Sequence, residues 1–568
     1  MIQSLGAGIM LRQKEMQQER EFYEDRDALV AQFVNPRREL IKDSQRFDDK
    51  GERRGKRKYN DYAGSALSTW ANGMQGHMIS KSLRWFKAKL GDPALNRIDE
   101  IQAWLQIYDE AMYAEFDRSN IYSVLPEWFR DAGSVATATL YAEENIVNGN
   151  VVYTPIHLRE ILISEDAYGF VDTVHRKFFL TARQAVQKFN KPGDNLSQTI
   201  KDNAERHPEK RHEFIHAVFP RTERIYGSLL SVNKPIASVY IETSGGDMVK
   251  QNATVVRESG YDLNPYTVWR LRKNSDEIYG YSHAHDAMDT IMGSNQYSKT
   301  MIEAAHLAVK PALNIPEHMR GNTQIMPDGH NYFERGGDKI SHFGNQANYP
   351  VGIDREERMQ KAIEDVYQVP FFLILARAER EMTATEIMER KSEQVVSLGP
   401  QIDRLEDEGL SSVFNIQSDI ADKAGRLPEP PQVLIDAVEE AKAQGRRPTS
   451  IGIRFTGPLA IAREMAFKMQ PINNSLAALE RIAILFPNAL KKVKEMELTE
   501  EALDANNFPS HLMRSDEEVE AMIQAEHELI QQQQAMEMAG GMAEAYPKMT
   551  GAPEAGSPAE AMGEAIGA

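Results

Sequence analysis

The spacing of apolar residues changes twice along this chain, and that change limits the folds available to it more than any other feature. Over residues 151–256 apolar side chains recur at every second position, in VVYTPI, EILISED, DTVHRKFFL, EFIHAVF and ASVYIE, with Gly and Pro between the runs. Such alternation is typical of β-strands. On both sides of this stretch apolar residues recur at three and four positions, as over residues 98–112, which is typical of helices. The sequence therefore predicts an α+β fold that is mainly helical.

Two helical segments flank one irregular stretch in the second half of the chain. Residues 282–309 contain no Pro and a single Gly, and their apolar spacing predicts a helical rod of about 40 Å. Residues 310–350 are rich in Gly, Asn, Pro and Asp, which favours an irregular excursion. A second helix is predicted over residues 354–368, and Pro370 should close it. We expect residues 372–382 to be a connection with an apolar first half and a charged second half.

A third helix is predicted to be much longer. Thr383 and Glu386 form a T-x-x-E capping box, the usual start of a helix, and apolar spacing continues to Lys423, a length of about 60 Å. Pro400 lies within this helix and removes one of its hydrogen bonds, so a kink is expected there.

The remaining segments carry weaker patterns. We expect an exposed, peripheral helix over residues 11–33, continuous helical packing over 67–140 and a strand over 451–455. Further helices are predicted over residues 460–490 and 516–538. Residues 540–568 are mostly Ala, Gly, Glu, Met and Pro, a composition that cannot form a packed core and predicts disorder.

Charge and composition exclude several classes of protein. The net charge is −18, but residues 495–568 carry sixteen acidic and two basic side chains, a net of −14, which leaves −4 for the first 494 residues. The chain therefore lacks the general basic character of a protein that grips nucleic acid. The absence of Cys excludes disulfides and cysteine-ligated metals and favours folding in a reducing compartment. Because no apolar run approaches the roughly 20 residues of a spanning helix, no membrane partner is expected.

One short segment is strongly basic. Residues 50–58 contain Lys50, Arg53, Arg54, Lys56, Arg57 and Lys58 against the single acidic Glu52. A basic loop is usually a solvated surface segment, but it can also contact nucleic acid or an acidic partner. The sequence leaves both interpretations open.

The sharpest signal for an enzyme is the H-E-x-x-H run formed by His212, Glu213 and His216. A zinc metalloprotease needs this motif on a helix, where the two His side chains converge on one metal. Here the residues around the motif alternate in polarity and Pro220 follows, so a strand is predicted, on which the two His would lie about 13 Å apart. No P-loop or nucleophile elbow is present. We therefore predict no enzyme activity, metal or cofactor, with a metalloprotease as the alternative.

Several segments, in order, resemble one known family. These are EIYGY at Glu277, HLAVKP at His306, NYPVG at Asn348, MTATEI at Met382 and LGP at Leu398, together with the strand segment IHAVFPR at Ile215. In order and spacing they resemble the portal, or head-to-tail connector, proteins of short-tailed bacteriophages of the podovirus type. The resemblance covers roughly residues 67–430.

The resemblance implies a ring, usually of twelve subunits, at the unique vertex of the capsid, with double-stranded DNA passing through its central channel. It also divides the chain into the regions of that family. These are the wing with N-terminal helices (1–281), stem helix 1 (282–309), the clip (310–350), stem helix 2 (351–371), the tunnel loop (372–382), the long wing helix with the wing remainder (383–458), a helical crown (459–539) and a disordered tail (540–568).

The resemblance further implies which residues and partners matter. The tunnel loop would bring Leu375, Arg377, Glu379, Arg380 and Glu381 to the channel. The expected partners are further copies of the chain, DNA without sequence specificity, the terminase large subunit, the tail adaptor, and the capsid and scaffold proteins. The protein would be a virion component assembled in the host cytoplasm. Another oligomeric virion or scaffold protein is the alternative, because long helices with an acidic tail suit any ring or shell.

Overall fold

The computed structural model describes residues 5–39, 41, 55, 57–145, 147–228, 230–243, 254–310, 313–321, 323, 330–333, 336–342, 349–377, 397–446, 449–464 and 516–545, with ten isolated residues between 472 and 499. Helices and strands both contribute to it, so the predicted α+β class is confirmed. The helices are α1 (Leu5–Phe33), α2 (Tyr62–Met78), α3 (Asp99–Arg118), α4 (Ile121–Val135), α5 (Ala182–Lys188), α6 (Gln198–Arg206), α7 (His283–Asp286), α8 (Met288–Val309), α9 (Tyr349–Val366), α10 (Val369–Arg377), α11 (Ser411–Lys423), α12 (Gln432–Ala443), α13 (Pro458–Glu464) and α14 (Asp516–Ala545).

Antiparallel sheets form the strand-rich part of the chain. Their strands are β1 (Phe86–Leu90), β2 (Thr137–Asn145), β3 (Asn150–Ile156), β4 (Ile161–Glu165), β5 (Val171–Thr181), β6 (Arg211–Pro220), β7 (Ile236–Thr243), β8 (Thr254–Tyr261), β9 (Tyr266–Arg270), β10 (Leu313–Asn314), β11 (Ser341–His342) and β12 (Ile451–Phe455). The largest sheet has the order β4-β5-β6-β7-β8, and a second has the order β3-β2-β9. β1 pairs with β12, and β10 with β11. The strands predicted from alternation are confirmed, whereas β1 interrupts the stretch that was expected to be helical throughout.

The main core lies where α2, α3 and α4 meet the sheet β3-β2-β9. Trp70, Trp128 and Trp269 are fully buried there, and the ring centroids of Trp128 and Trp269 are 4.8 Å apart. Ile363 of α9 and Phe371 of α10 belong to the same core. Helices distant in sequence are therefore fixed to one apolar centre, and each buried large side chain contributes about 1.5–3 kcal/mol.

α1 is not the peripheral helix that its composition predicted. Its buried face includes Gln13, Arg20 and Asp27 as well as Ile9 and Met16. The expectation failed because this face is held largely by polar contacts, which an apolar pattern cannot show: Gln13 bonds to His175 at 2.9 Å, and Asp27 bonds to His285 at 3.2 Å. α1 thus ties the large sheet to the start of α8.

The end of the chain also departs from the expectation. α14 was predicted to end at residue 538, with disorder from 540, but it continues to Ala545. Ala and Met are good helix formers, which explains this extension past two Gly. Residues 546–568 lie outside the described residues, and so do most residues of the helix predicted over 460–490, of which α13 forms the start. Among the described residues, no helix combines the length and apolar character needed to cross a membrane.

Candidate functional site

α8 and α9 form an antiparallel helix pair rooted in the core. Ser282 caps α7, which leads into α8, through a capping box with His285. Ser298 Oγ of α8 donates to Glu356 Oε1 of α9 at 2.8 Å, and Gly352 lies so close to Met301 that an added Cβ would be 2.8 Å from its sulfur. The register of these contacts shows that the end of α8 and the start of α9 lie side by side.

The far end of this helix pair leaves the core with apolar side chains exposed. Ile302 is 42% exposed, Leu307 50% and Val309 81%, while Ile353 at the start of α9 is 52% exposed. A helix that carries apolar residues on a solvent-facing side needs another surface to cover them. The described residues leave these apolar side chains exposed at the far end of the helix pair.

A polar seam fixes the basic segment to α8. Asn295 Oδ1 accepts from the backbone N–H of Tyr59 at 2.7 Å, and Asn295 Nδ2 donates to the carbonyl of Arg57 at 2.9 Å. Asn60 Nδ2 donates to Ser294 Oγ at 3.0 Å and to Ser298 Oγ at 2.8 Å. The sequence analysis did not find this seam, although a polar Ser-Asn run within an apolar helix was a signal for it.

Of the basic residues singled out above, two can be placed. The side chain of Arg57 is exposed, and Lys58 forms an ion pair with Asp61. Lys50, Arg53, Arg54 and Lys56 lie outside the described residues. The seam therefore brings the end of the basic segment beside α8.

The connection expected over residues 372–382 begins as a helix. Pro370 does not close α9: the chain turns at Gln368, whose φ is 53°, and Pro370 lies in the first turn of α10. Proline is favoured in a first turn because the N–H it lacks has no partner there. Leu375 and Arg377 therefore lie on a helix, while Glu379, Arg380 and Glu381 lie outside the described residues.

α10 is seated by one close contact. Phe372 is 2% exposed, and its ring packs on α2 at Gly73, where an added Cβ would lie 2.2 Å from the ring. Only glycine fits this approach, because any other side chain would displace the ring or the helix. This pair fixes α10 against α2.

The predicted long helix is present from residue 397 to Lys423, and its irregular turn lies beyond Pro400. Residues 397–404 are α-helical, Leu405–Leu410 form a π-helical turn, and α11 follows without a break. The capping box at Thr383 lies outside the described residues. A π turn holds one extra residue and is often found at functional positions.

Two arginines from distant segments bind the carboxylates of the π turn. Arg270 at the end of β9 is 1% exposed and donates to Glu408 Oε1 at 2.7 Å; it also pairs with Glu165. Arg463 of α13 donates to Glu406 Oε2 at 3.0 Å, while the buried Oε1 of Glu406 has no hydrogen-bond partner among the described residues. Burial raises the pKa of Glu406 to about 7. The sequence analysis missed this network, although Arg270 at the end of an apolar strand was a signal for a buried ion pair.

The H-E-x-x-H motif lies on strand β6, as predicted. His216 is 1% exposed, and its ring nitrogens share hydrogen bonds with Tyr266 at 2.8 Å and Ser238 at 2.9 Å. Glu213 accepts from Thr243 Oγ1 at 2.7 Å, and on a strand its side chain points to the opposite face from His212 and His216. Within the described ranges, no three His, Asp or Glu side chains form a group that could hold a metal ion. The geometry does not fit a zinc protease.

Comparisons with known proteins agree with the resemblance found in the sequence. The sequence model of one family, described as bacteriophage head to tail connecting protein, matches residues 7–513. The chain is 28% identical over 498 residues to the portal protein of Salmonella phage epsilon15, which covers 84% of this chain and 87% of the relative. It is 26% identical over 497 residues to the probable portal protein of Bordetella phage BPP-1, with 85% and 84% covered.

Proposed function

This chain belongs to the bacteriophage head-to-tail connecting proteins, and from that premise we propose that it forms a ring-shaped channel through which double-stranded DNA enters and leaves the capsid. The observation that carries the proposal is the helix pair α8–α9, whose far end exposes apolar residues in the single chain. Head-to-tail contacts between identical chains close into rings when the rotation between neighbours permits it. Copies packed side by side through these helices would cover the exposed residues and enclose a central hole.

The regions of the family follow as part of the same proposal. α7–α8 and α9 would be the stem, and residues 310–350, which include β10 and β11, the clip that meets the terminase large subunit and later the tail adaptor. The other sheets with α1–α6 would be the wing. The segment after Arg377 would project into the channel as the tunnel loop, now shortened to residues 378–382 because α10 occupies the first half. Residues 459–539 would be the crown, and capsid and scaffold proteins would contact the ring at the capsid vertex.

The charge of the chain suits a conduit for DNA. Every phosphate that a protein neutralises adds affinity through counterion release, so a strongly basic channel would hold DNA rather than let it pass. The end of α10 and the proposed tunnel loop together carry charges of both signs: Arg377 and Arg380 are basic, and Glu379 and Glu381 are acidic. Its contacts with DNA would be weak and screened by salt. A purely structural role requires no cofactor and no catalytic residue.

Ring formation is tested by charging the exposed face. We expect Leu307→Asp to shift the purified protein from rings to single chains, because a carboxylate would be buried between neighbours at a cost of several kcal/mol. Thr300→Asp, at an exposed polar position of the same helix, is the matched control. The measurements are sedimentation and negative-stain microscopy. A wild-type protein that stays a single chain at micromolar concentration would contradict the proposal.

The channel is tested separately, by deleting residues 378–381, which leaves α10 intact. We expect rings and capsid incorporation to persist while DNA packaging or retention fails, and Arg377→Glu with Arg380→Glu to act more mildly. The measurement is the DNA content of particles assembled with each variant. If the deletion abolishes rings, the segment is a contact between subunits; if particles fill and hold DNA normally, the tunnel-loop assignment is wrong.

A further inference from the structure

β12 and β1 form a two-stranded sheet whose edge at β12, called the free edge below, has no partner strand among the described residues. Side chains of α3 and of the turn before it cover the far side of β1. The N–H of Phe86 donates to Tyr113 Oη at 2.9 Å, and that of Ala88 donates to Asp109 Oδ1 at 2.8 Å. The N–H of Leu90 donates to Asn96 Oδ1 at 2.8 Å. No strand among the described residues pairs with the far side of β12. The sheet is therefore closed at β1 and open at β12.

The register shows which groups face this open edge. Lys87 lies opposite Arg454, and Lys89 lies opposite Gly452. The ladder of hydrogen bonds continues at both ends, where Gly91 N–H donates to Ser450 O and Thr456 N–H donates to Trp85 O. In an antiparallel pair, alternate residues bond inward and outward. The N–H and C=O groups of Ile451, Ile453 and Phe455 therefore point away from β1, and each of these residues is half-buried. A row of this kind is a template for an added strand.

The two faces of the sheet differ sharply in character. Ile451, Ile453 and Phe455 pack partly on the main core. On the opposite face Lys87 and Lys89 alternate with the buried residues of β1, and Arg454 stands beside Lys87. Neither strand contributes a carboxylate to this face. Lys89 on this face is exposed, so an acidic side chain placed beside it would form a favourable cross-strand pair.

We propose that the free edge of β12 binds an extended segment of a partner protein in which acidic and apolar side chains alternate. The main chain of the segment would pair with the outward groups of β12. Its apolar side chains would extend the face of Ile451 and Ile453, and its acidic side chains would face Lys89 across Gly452. A second copy of the chain is not the occupant through β12 itself, because edge-to-edge pairing would place the two cationic faces together. The proposal does not depend on the DNA channel.

Binding is tested on the full-length protein with a fluorescent hexapeptide that alternates glutamate with valine, followed by anisotropy. We expect saturable binding, and none of a peptide that alternates lysine with valine. Lys89→Glu should weaken binding roughly threefold to fivefold, as for an exposed ion pair. Lys201→Glu, an exposed position on α6, should leave binding unchanged.

A second variant separates strand addition from attraction of charge alone. Ile453→Pro removes an N–H that faces the free edge and takes no part in the pairing with β1, so the sheet should persist while peptide affinity falls roughly tenfold. The glutamate–valine peptide methylated at alternate backbone nitrogens should also fail to bind the unchanged protein. This second measurement holds even if the proline variant folds poorly.

Three results would overturn the inference. The first is that the wild-type protein fails to bind the glutamate–valine peptide. The second is that Ile453→Pro alters the number of subunits and the peptide competes with assembly, which would make a second copy the occupant. The third is that a DNA duplex binds with sensitivity to Lys89→Glu but not to Ile453→Pro, while the peptide does not bind. Ring formation is recorded on the same samples by microscopy. If rings form while one of these results is obtained, the strand-addition proposal is wrong and the proposed portal function is unaffected.

Discussion

Two carboxylates of the π turn, Glu406 and Glu408, should respond to the same substitution with very different losses of stability. They are two residues apart, and each accepts a hydrogen bond from an arginine of a distant segment. Their surroundings differ. Glu408 binds the fully buried Arg270 with both oxygens, whereas one oxygen of Glu406 has no hydrogen-bond partner in the described part of the chain. Glu→Gln at each position keeps the size of the side chain and removes only the charge.

Glu408→Gln should be strongly destabilising. Arg270 is 1% exposed and would keep only Glu165 as a charged partner. Removing one partner of a buried ion pair typically costs 3–5 kcal/mol, because the remaining charge is left in a medium that cannot solvate it. Since Glu165 still compensates in part, we expect about 3 kcal/mol. For a cooperative unit of 150–250 residues this lowers Tm by roughly 6–12 °C.

Glu406→Gln should change the free energy of unfolding by no more than about 1 kcal/mol at pH 8. Burial raises the pKa of Glu406 to about 7, above its ordinary value, so the folded state binds its proton more tightly than the unfolded chain does. The stability from this group is therefore fully present below about pH 4.5 and is lost as the pH rises through about 7. The wild type should gain stability over the variant as the pH falls from 8 to 5.

The assay is thermal unfolding of the full-length protein at pH 8 and pH 5, at one concentration for all variants. Equal Tm losses for the two variants at pH 8, or a larger loss for Glu406→Gln, would refute the inference that the Arg270–Glu408 contact stabilises the fold more than the Arg463–Glu406 contact. A Tm difference between wild type and Glu406→Gln that does not change with pH would refute the raised pKa.

Three further predictions follow from other parts of the fold. Gly73→Ala should displace Phe372 and lower Tm, whereas Gly76→Ala on the same helix, with open space around it, should raise stability by up to about 1 kcal/mol; equal Tm values would contradict the close contact. Burial lowers the pKa of His216 well below its ordinary value, so the stability that the neutral ring contributes is lost below about pH 6.5, and His216→Gln should reduce the fall of Tm between pH 7 and 5. Asn295→Ala should speed tryptic cleavage after Arg57, since it removes two of the four hydrogen bonds described above between this segment and α8, the two nearest the cleavage site; cleavage at the wild-type rate would show that the bonds of Asn60 suffice to hold it.

Local patterns in the sequence determined the elements and the family. Alternation over residues 151–256 predicted strands β3 to β7, and the absence of Pro over 282–309 predicted the helix that becomes α7–α8. The same alternation placed His212 and His216 on a strand and so argued against a zinc site. These predictions succeeded because a strand or a helix imposes a fixed spacing on the side chains that it buries, and spacing can be read directly from the sequence.

Only the tertiary structure decided which distant residues meet. Arg270 and Glu408 are 138 positions apart, and no spacing rule joins them. The buried polar face of α1 looked exposed because its partners, His175 and His285, lie on other elements. Pro370 was assigned to the end of a helix, yet it begins one, since the left-handed turn at Gln368 comes first. Such contacts depend on three-dimensional packing between segments, and the same holds for the side chains of α3 that cover the outer edge of β1.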